Sequence, residues 1–145
     1  MADAVQVKVP TWFWVVAVLA LLWELMGVAA YVSDVTMTQA DLAALPEGQR
    51  QLYATMPPWV TAAYAIAVFG GALGAMALLM RRNWARMLFI ISMIAVICQF
   101  GWSFGIARAH EIVGANALLF PALIVLIAIA LVWFSGMSTR RGWLR

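Results

Sequence analysis

The chain has 145 residues, 66% of them hydrophobic and only 10% charged, with a formal net charge of +3 and a mean hydropathy of +0.96. Soluble domains average about 25% charged residues, so this composition excludes an ordinary soluble fold and points to an integral membrane protein. Nine basic against six acidic residues would suit a nucleic-acid partner. Seven of the nine, however (Lys8, Arg81, Arg82, Arg86, Arg140, Arg141 and Arg145), flank apolar runs, so the excess reports topology and no nucleic acid is expected.

Four apolar runs, at residues 11–32, 59–80, 84–105 and 115–135, occupy most of the length. A helix needs roughly 20 residues to cross the hydrocarbon core, and runs this continuously apolar lack the alternation of a membrane barrel. The expected fold is therefore all-α: a single four-transmembrane-helix domain spanning residues 1–145. Its basic flanks place both termini in the cytoplasm. The first run is too long, and too interrupted by Glu24, for a signal peptide.

Residues 1–10 form a short lead, and Pro10 suits a helix start. Along the first span Ala17, Ala20, Glu24, Gly27, Tyr31 and Asp34 recur at spacings of three and four, so one face is small or polar. In lipid that face is expected to turn inward, with Gly27 at a helix contact.

The first outer loop, residues 33–58, is expected to be partly helical, with a capping box at Thr38–Asp41 and a second short turn over 49–56. Its leucines, Tyr53 and Met56 supply apolar surface for docking over the outer mouth of the bundle. The second span carries Ala63, Ala67, Gly70, Gly74 and Ala77, and its Gly70-x-x-x-Gly74 spacing suits close helix packing, within the bundle or between protomers.

A very short basic turn makes the second and third spans antiparallel neighbours. On the third span Ser92, Ala95, Gln99 and Trp102 share a face, with Ser103 beside them. Pro121 is expected inside the outer half of the fourth span, leaving the carbonyl of Ala117 without its helical partner. The ending Arg140 to Arg145 is expected to lie on an anionic membrane surface.

Glu24 is the candidate for chemistry. An ionisable residue near mid-membrane costs about 3 kcal/mol or more, and burial disfavours the charged carboxylate; a solute or proton site and a silent structural acid both fit that description. Gln99, Tyr64 and the Ala117 carbonyl lie at similar depth and are the expected hydrogen-bonding partners, with Trp102 as a stacking wall.

Other chemistry is not expected. The third loop has Arg108, His110 and Glu111, one histidine without a second ligand at helical spacing, so no metal site is read there. The serines lack a base within a span, Cys98 has no disulfide partner, and neither a cofactor nor a catalytic residue is indicated.

The runs VPTWFW (9–14), WELMGVAAYVSD (23–34), MPPWVTAAYAIAVFGGALGAMALLMRRNWA (56–85), LFIISMIAVICQF (88–100) and RGWLR (141–145) resemble a family of small bacterial four-span membrane proteins often labelled "sugar transporter". The resemblance implies a transporter or binder of a small polar solute such as a sugar, and assigns no residues. In architecture alone, four spans with an acid in the first are similar to small multidrug-resistance transporters, but the 26-residue outer loop counts against membership. Four helices enclose little space, so transport implies a homo-oligomer. The alternative is a non-catalytic accessory subunit of a larger membrane complex.

Overall fold

The computed structural model describes residues 7–145, so most of the N-terminal lead, residues 1–6, lies outside the described residues. The described chain is helical, in the order α1 (Thr11–Val35), α2 (Gln39–Ala44), α3 (Glu47–Thr55), α4 (Pro58–Leu79), α5 (Ala85–Phe100), α6 (Ala109–Val113) and α7 (Leu119–Arg140). A π-helical segment, Gly101–Ile106, extends α5, and a 3₁₀ turn, Ala115–Leu118, leads into α7. Four helical stretches are long and apolar enough to cross a membrane: Thr11–Val35, Pro58–Leu79, Ala85–Ile106 and Ala115–Arg140. The last runs five residues beyond the apolar stretch read from sequence, because Gly136 to Thr139 are small or flexible and continue the helix to its basic end.

The helices pack in the order α1–α4–α5–α7. α4 is the centre, with half of its apolar window buried against 11% for α1 and for α7. Lipid tails are as apolar as leucine, so burial of apolar area does not drive this packing, and close backbone approach does. The glycines show where. A Cβ at Gly27 of α1 would lie 3.3 Å from Val68, one at Gly70 of α4 would lie 3.6 Å from Ser92, and one at Gly74 would lie 3.0 Å from the Phe89 ring. All three thus pack within one bundle, with Gly70 and Gly74 against α5. Across the same α4–α5 seam, the buried Ser92 hydroxyl donates to the Ala67 carbonyl at 2.6 Å.

The two ends of the bundle differ. At the basic end Phe13 is fully buried between Phe134, with ring centroids 5.7 Å apart, and Trp143 at 5.8 Å, while Trp12 packs edge-on to Trp143 at 5.2 Å. The C-terminal ending keeps Arg140, Arg141 and Arg145 exposed at the basic end, while its apolar residues turn inward. Trp143 and Leu144 are buried, because the segment folds back onto the turn between α4 and α5. There Arg81 Nε donates to the Trp143 carbonyl at 2.7 Å, Arg145 N–H to the Arg81 carbonyl at 2.7 Å, and Asn83 N–H to the Arg145 carbonyl at 2.9 Å. These bonds hold Arg81 at φ 55°, a left-handed conformation that costs a non-glycine residue roughly 1–3 kcal/mol.

At the loop end α3 packs on α6, with Gly48 against Ile112. Thr38 caps α2 through a reciprocal pair with Asp41. Phe13→Ala opens the aromatic cluster that ties α1 to α7, and is expected to lower stability by about 3–5 kcal/mol, measurable as a fall in the detergent or nanodisc unfolding midpoint.

Candidate functional site

A cavity of about 360 Å³ occupies the loop-side half of the bundle, bounded by α1, α4, α5 and α7. Its position follows from the packing. α1 and α7 have no continuous contact along their lengths; they meet through Phe13 and Trp12 with Phe134 at the basic end, and through Trp23 with Phe120 higher up. Between these contacts α1 and α7 do not pack closely on one another, and α4 and α5 line the space between them.

Glu24, Asp34, Tyr64 and Gln99 supply most of the polar lining, and Ser92 also lines the cavity with its hydroxyl already committed to Ala67. The remaining lining is apolar or aromatic, including Trp23, Gly27, Val68, Phe100 and Phe120. The structure therefore brings Glu24, Gln99 and Tyr64 to one cavity. Trp102 is buried but does not line it. The wider π winding, marked by the bond from Ala107 N–H to the Trp102 carbonyl at 2.8 Å, turns this residue off the Ser92–Gln99 face.

Pro121 also departs from the expected arrangement. It is the third residue of α7, in the first turn, where a missing N–H leaves no gap in the helical ladder. It lines the cavity through its ring.

Glu24 makes no hydrogen bond with Gln99, Tyr64 or the Ala117 carbonyl; among the described residues its carboxylate has no hydrogen-bonding partner. What holds it is shape. Its carboxylate rests against Gly71 of α4, so that a Cβ at Gly71 would fall directly on the carboxyl group. Gly71 escaped the sequence analysis because it sits one residue out of register with the Gly70–Gly74 stripe. The signal was the Gly70-Gly71 pair, which gives α4 one small residue toward α5 and another toward α1.

Asp34, ten residues after Glu24 on the same helix, lines the loop-side edge of the cavity. The Tyr53 hydroxyl of α3 faces it. Burial, and then the neighbouring Asp34 carboxylate, push the Tyr53 phenol above its ordinary range. Tyr64 and Tyr31 pack edge-on nearby, with ring centroids 5.2 Å apart. The loop helices contribute none of the lining residues, so α3 stands beside the cavity, with Tyr53 meeting Asp34 at its edge.

In the third loop Arg108 and Glu111 pair at 2.7 Å, and His110 Nδ1 is buried without a partner. Among the described residues no group of three metal-ligating side chains comes together.

The fold and the cavity together define a bundle of four helices long and apolar enough to cross a membrane, with a pocket lined by a mid-span acid. Comparison with known proteins finds no matching family model, no similar curated protein and no similar solved structure.

Two outcomes follow from this geometry. Gly71→Ala is expected to displace the Glu24 carboxyl from its seat. It should change the rate at which a hydrophobic carbodiimide modifies Glu24 severalfold, read by peptide mass spectrometry with Glu24→Gln as the unreactive control. Tyr53 holds its proton more firmly in the folded protein than in the unfolded chain, so its stabilisation is complete below the ordinary tyrosine pKa of about 10 and is lost as pH rises through the higher folded value. Tyr53→Phe should accordingly flatten the alkaline limb of the thermal-stability profile.

Proposed function

We propose that this protein binds a small solute within the membrane at the Glu24 cavity and transfers it across, acting as a multi-pass protein of a bacterial inner membrane. The observation that carries the reading is a mid-span carboxyl group with no hydrogen-bonding partner, facing a cavity of ligand size. A structural acid in lipid would be expected to satisfy its oxygens with protein groups, since an unsatisfied polar group there costs several kcal/mol. Glu24 leaves that role to whatever enters the cavity.

Gln99 and Tyr64 are the proposed hydrogen-bonding partners of the solute, and Trp23 and Phe120 its apolar walls. Trp102 has no part in the reading. A lining with so few free polar groups suits a solute with one or two polar contacts better than a fully hydroxylated sugar, whose every edge needs a partner. The transport step is proposed to require a second protomer, because one bundle offers a pocket in only one half. The basic end, which gathers seven of the nine basic residues, is proposed to face the cytoplasm, carrying both termini with it. No catalytic step is proposed.

The test is thermal stabilisation of the purified protein in lipid nanodiscs against a panel of sugars and organic cations, wild type beside Glu24→Gln, at several pH values. A shift with one solute class that the mutant loses is the expected result. No shift with any solute, together with an equally stable mutant, would make Glu24 a structural acid and favour an accessory subunit of a larger complex.

A further inference from the structure

At the basic end, on the α5–α7 seam away from the Glu24 cavity, two arginines converge on one glycine. Gly136 of α7 is buried, and a Cβ there would lie 3.3 Å from Arg86 Nε and 3.7 Å from Arg140 Nη1. Arg86 is the second residue of α5, where the helix dipole is positive and no acid stands in the first turn. Two guanidinium groups thus share one notch beside a helix N-terminus. The ion pairs among the described residues, Arg50–Glu47 and Arg108–Glu111, both lie at the opposite end of the bundle, so among the described residues neither arginine has a carboxylate partner. Like charges held this close repel, more strongly at an interface of low dielectric constant than in water, and an anion between them would reverse the sign.

The surface above the notch says which anion. Leu126, Ile129 and Trp133 are 63%, 50% and 61% exposed, and with Gly136 and Arg140 they follow one another at spacings of three and four along α7. They make a single apolar face that ends at the arginine pair. Trp133 lies about 10 Å up the helix from Arg140, a separation that sets an indole at the glycerol level when the guanidinium is at the phosphate level. A free phosphate would use the notch and leave that face without a role.

We infer that Arg86 and Arg140 bind the phosphate of an anionic phospholipid at the α5–α7 seam, with an acyl chain lying along Leu126, Ile129 and Trp133. Arginine suits the task because its planar fork can engage a phosphodiester in bidentate fashion. A headgroup without an amine is favoured, since a zwitterionic lipid brings its own cation to a site that already has two.

The experiment is native mass spectrometry of the full chain exchanged into mixtures of phosphatidylglycerol and phosphatidylcholine. The variants are R86Q, R140Q, the double variant, and R82Q/R145Q as a control that removes two charges at the same end, exposed like Arg86 and Arg140, without touching the notch. Retention of phosphatidylglycerol over phosphatidylcholine is expected in wild type and in the control, with a loss of about fivefold for each notch arginine removed. If the double variant fails to fold, G136A, which keeps both charges but crowds Arg86, should also lower retention. Equal loss in R82Q/R145Q would reduce the effect to general surface charge and overturn the site. So would equal retention of the two lipids, or complete displacement by millimolar inorganic phosphate, which would show that the notch takes phosphate without the lipid.

Discussion

The close approach of backbones along α4 is the constraint on which the rest of this molecule depends. Glycine and alanine remove the side-chain layer that would otherwise hold neighbouring helices apart, and in a bilayer that approach substitutes for the hydrophobic driving force that lipid abolishes. Gly70 and Gly74 admit the Ser92 and Phe89 side of α5, and Gly71 admits the Glu24 side of α1. One helix therefore sets two seams at once. The carboxyl group at the centre of the cavity is positioned by the absence of a methyl group on its neighbour.

From that centre the bundle develops unequally. The basic end is closed by stacked and edge-on aromatic rings and by a C-terminal segment that hydrogen-bonds back to the α4–α5 turn. The loop end has no equivalent between α1 and α7. There α3 packs on α6, and α6 packs on the 3₁₀ turn before α7 and on the π-helical end of α5, beside the cavity and not between α1 and α7. Tight packing at one end and separation at the other place a cavity in a chain otherwise too small to enclose one.

Much of this was legible in the residues. Length and continuous apolarity identify the four membrane-crossing helices, and the three-and-four spacing of Ala17, Ala20, Glu24, Gly27 and Asp34 marks the inward face of α1. Common depth brings Glu24, Gln99 and Tyr64 together. Three features were not legible, each for a local reason. Trp102 follows Gln99 at helical spacing, but the chain changes from α to π winding between them, and periodicity assumes one winding throughout. Pro121 lies inside the fourth span as read, but the change from 3₁₀ to α winding before it, which puts it in the first turn of α7, leaves no mark in the sequence. The Arg141–Arg145 ending reads as membrane-surface sequence by charge, yet its indole and leucine find a partner surface that only the assembled turn provides. Gly71 shows the converse limit, since its role depends on a side chain 47 positions earlier in the chain.

The unsealed seam between α1 and α7 has a thermodynamic consequence. Met26 and Phe120, both more than half exposed, line the cavity, so the pocket opens to the outer surface of the bundle on that side. In a bilayer such an opening would admit acyl chains. On the proposed function, solute binding at Glu24 would be an exchange with hydrocarbon for the same volume, and its affinity a difference between two occupants. Chain length, unsaturation and lateral pressure enter that difference directly, which makes the lipid composition of the host membrane a parameter of the site itself.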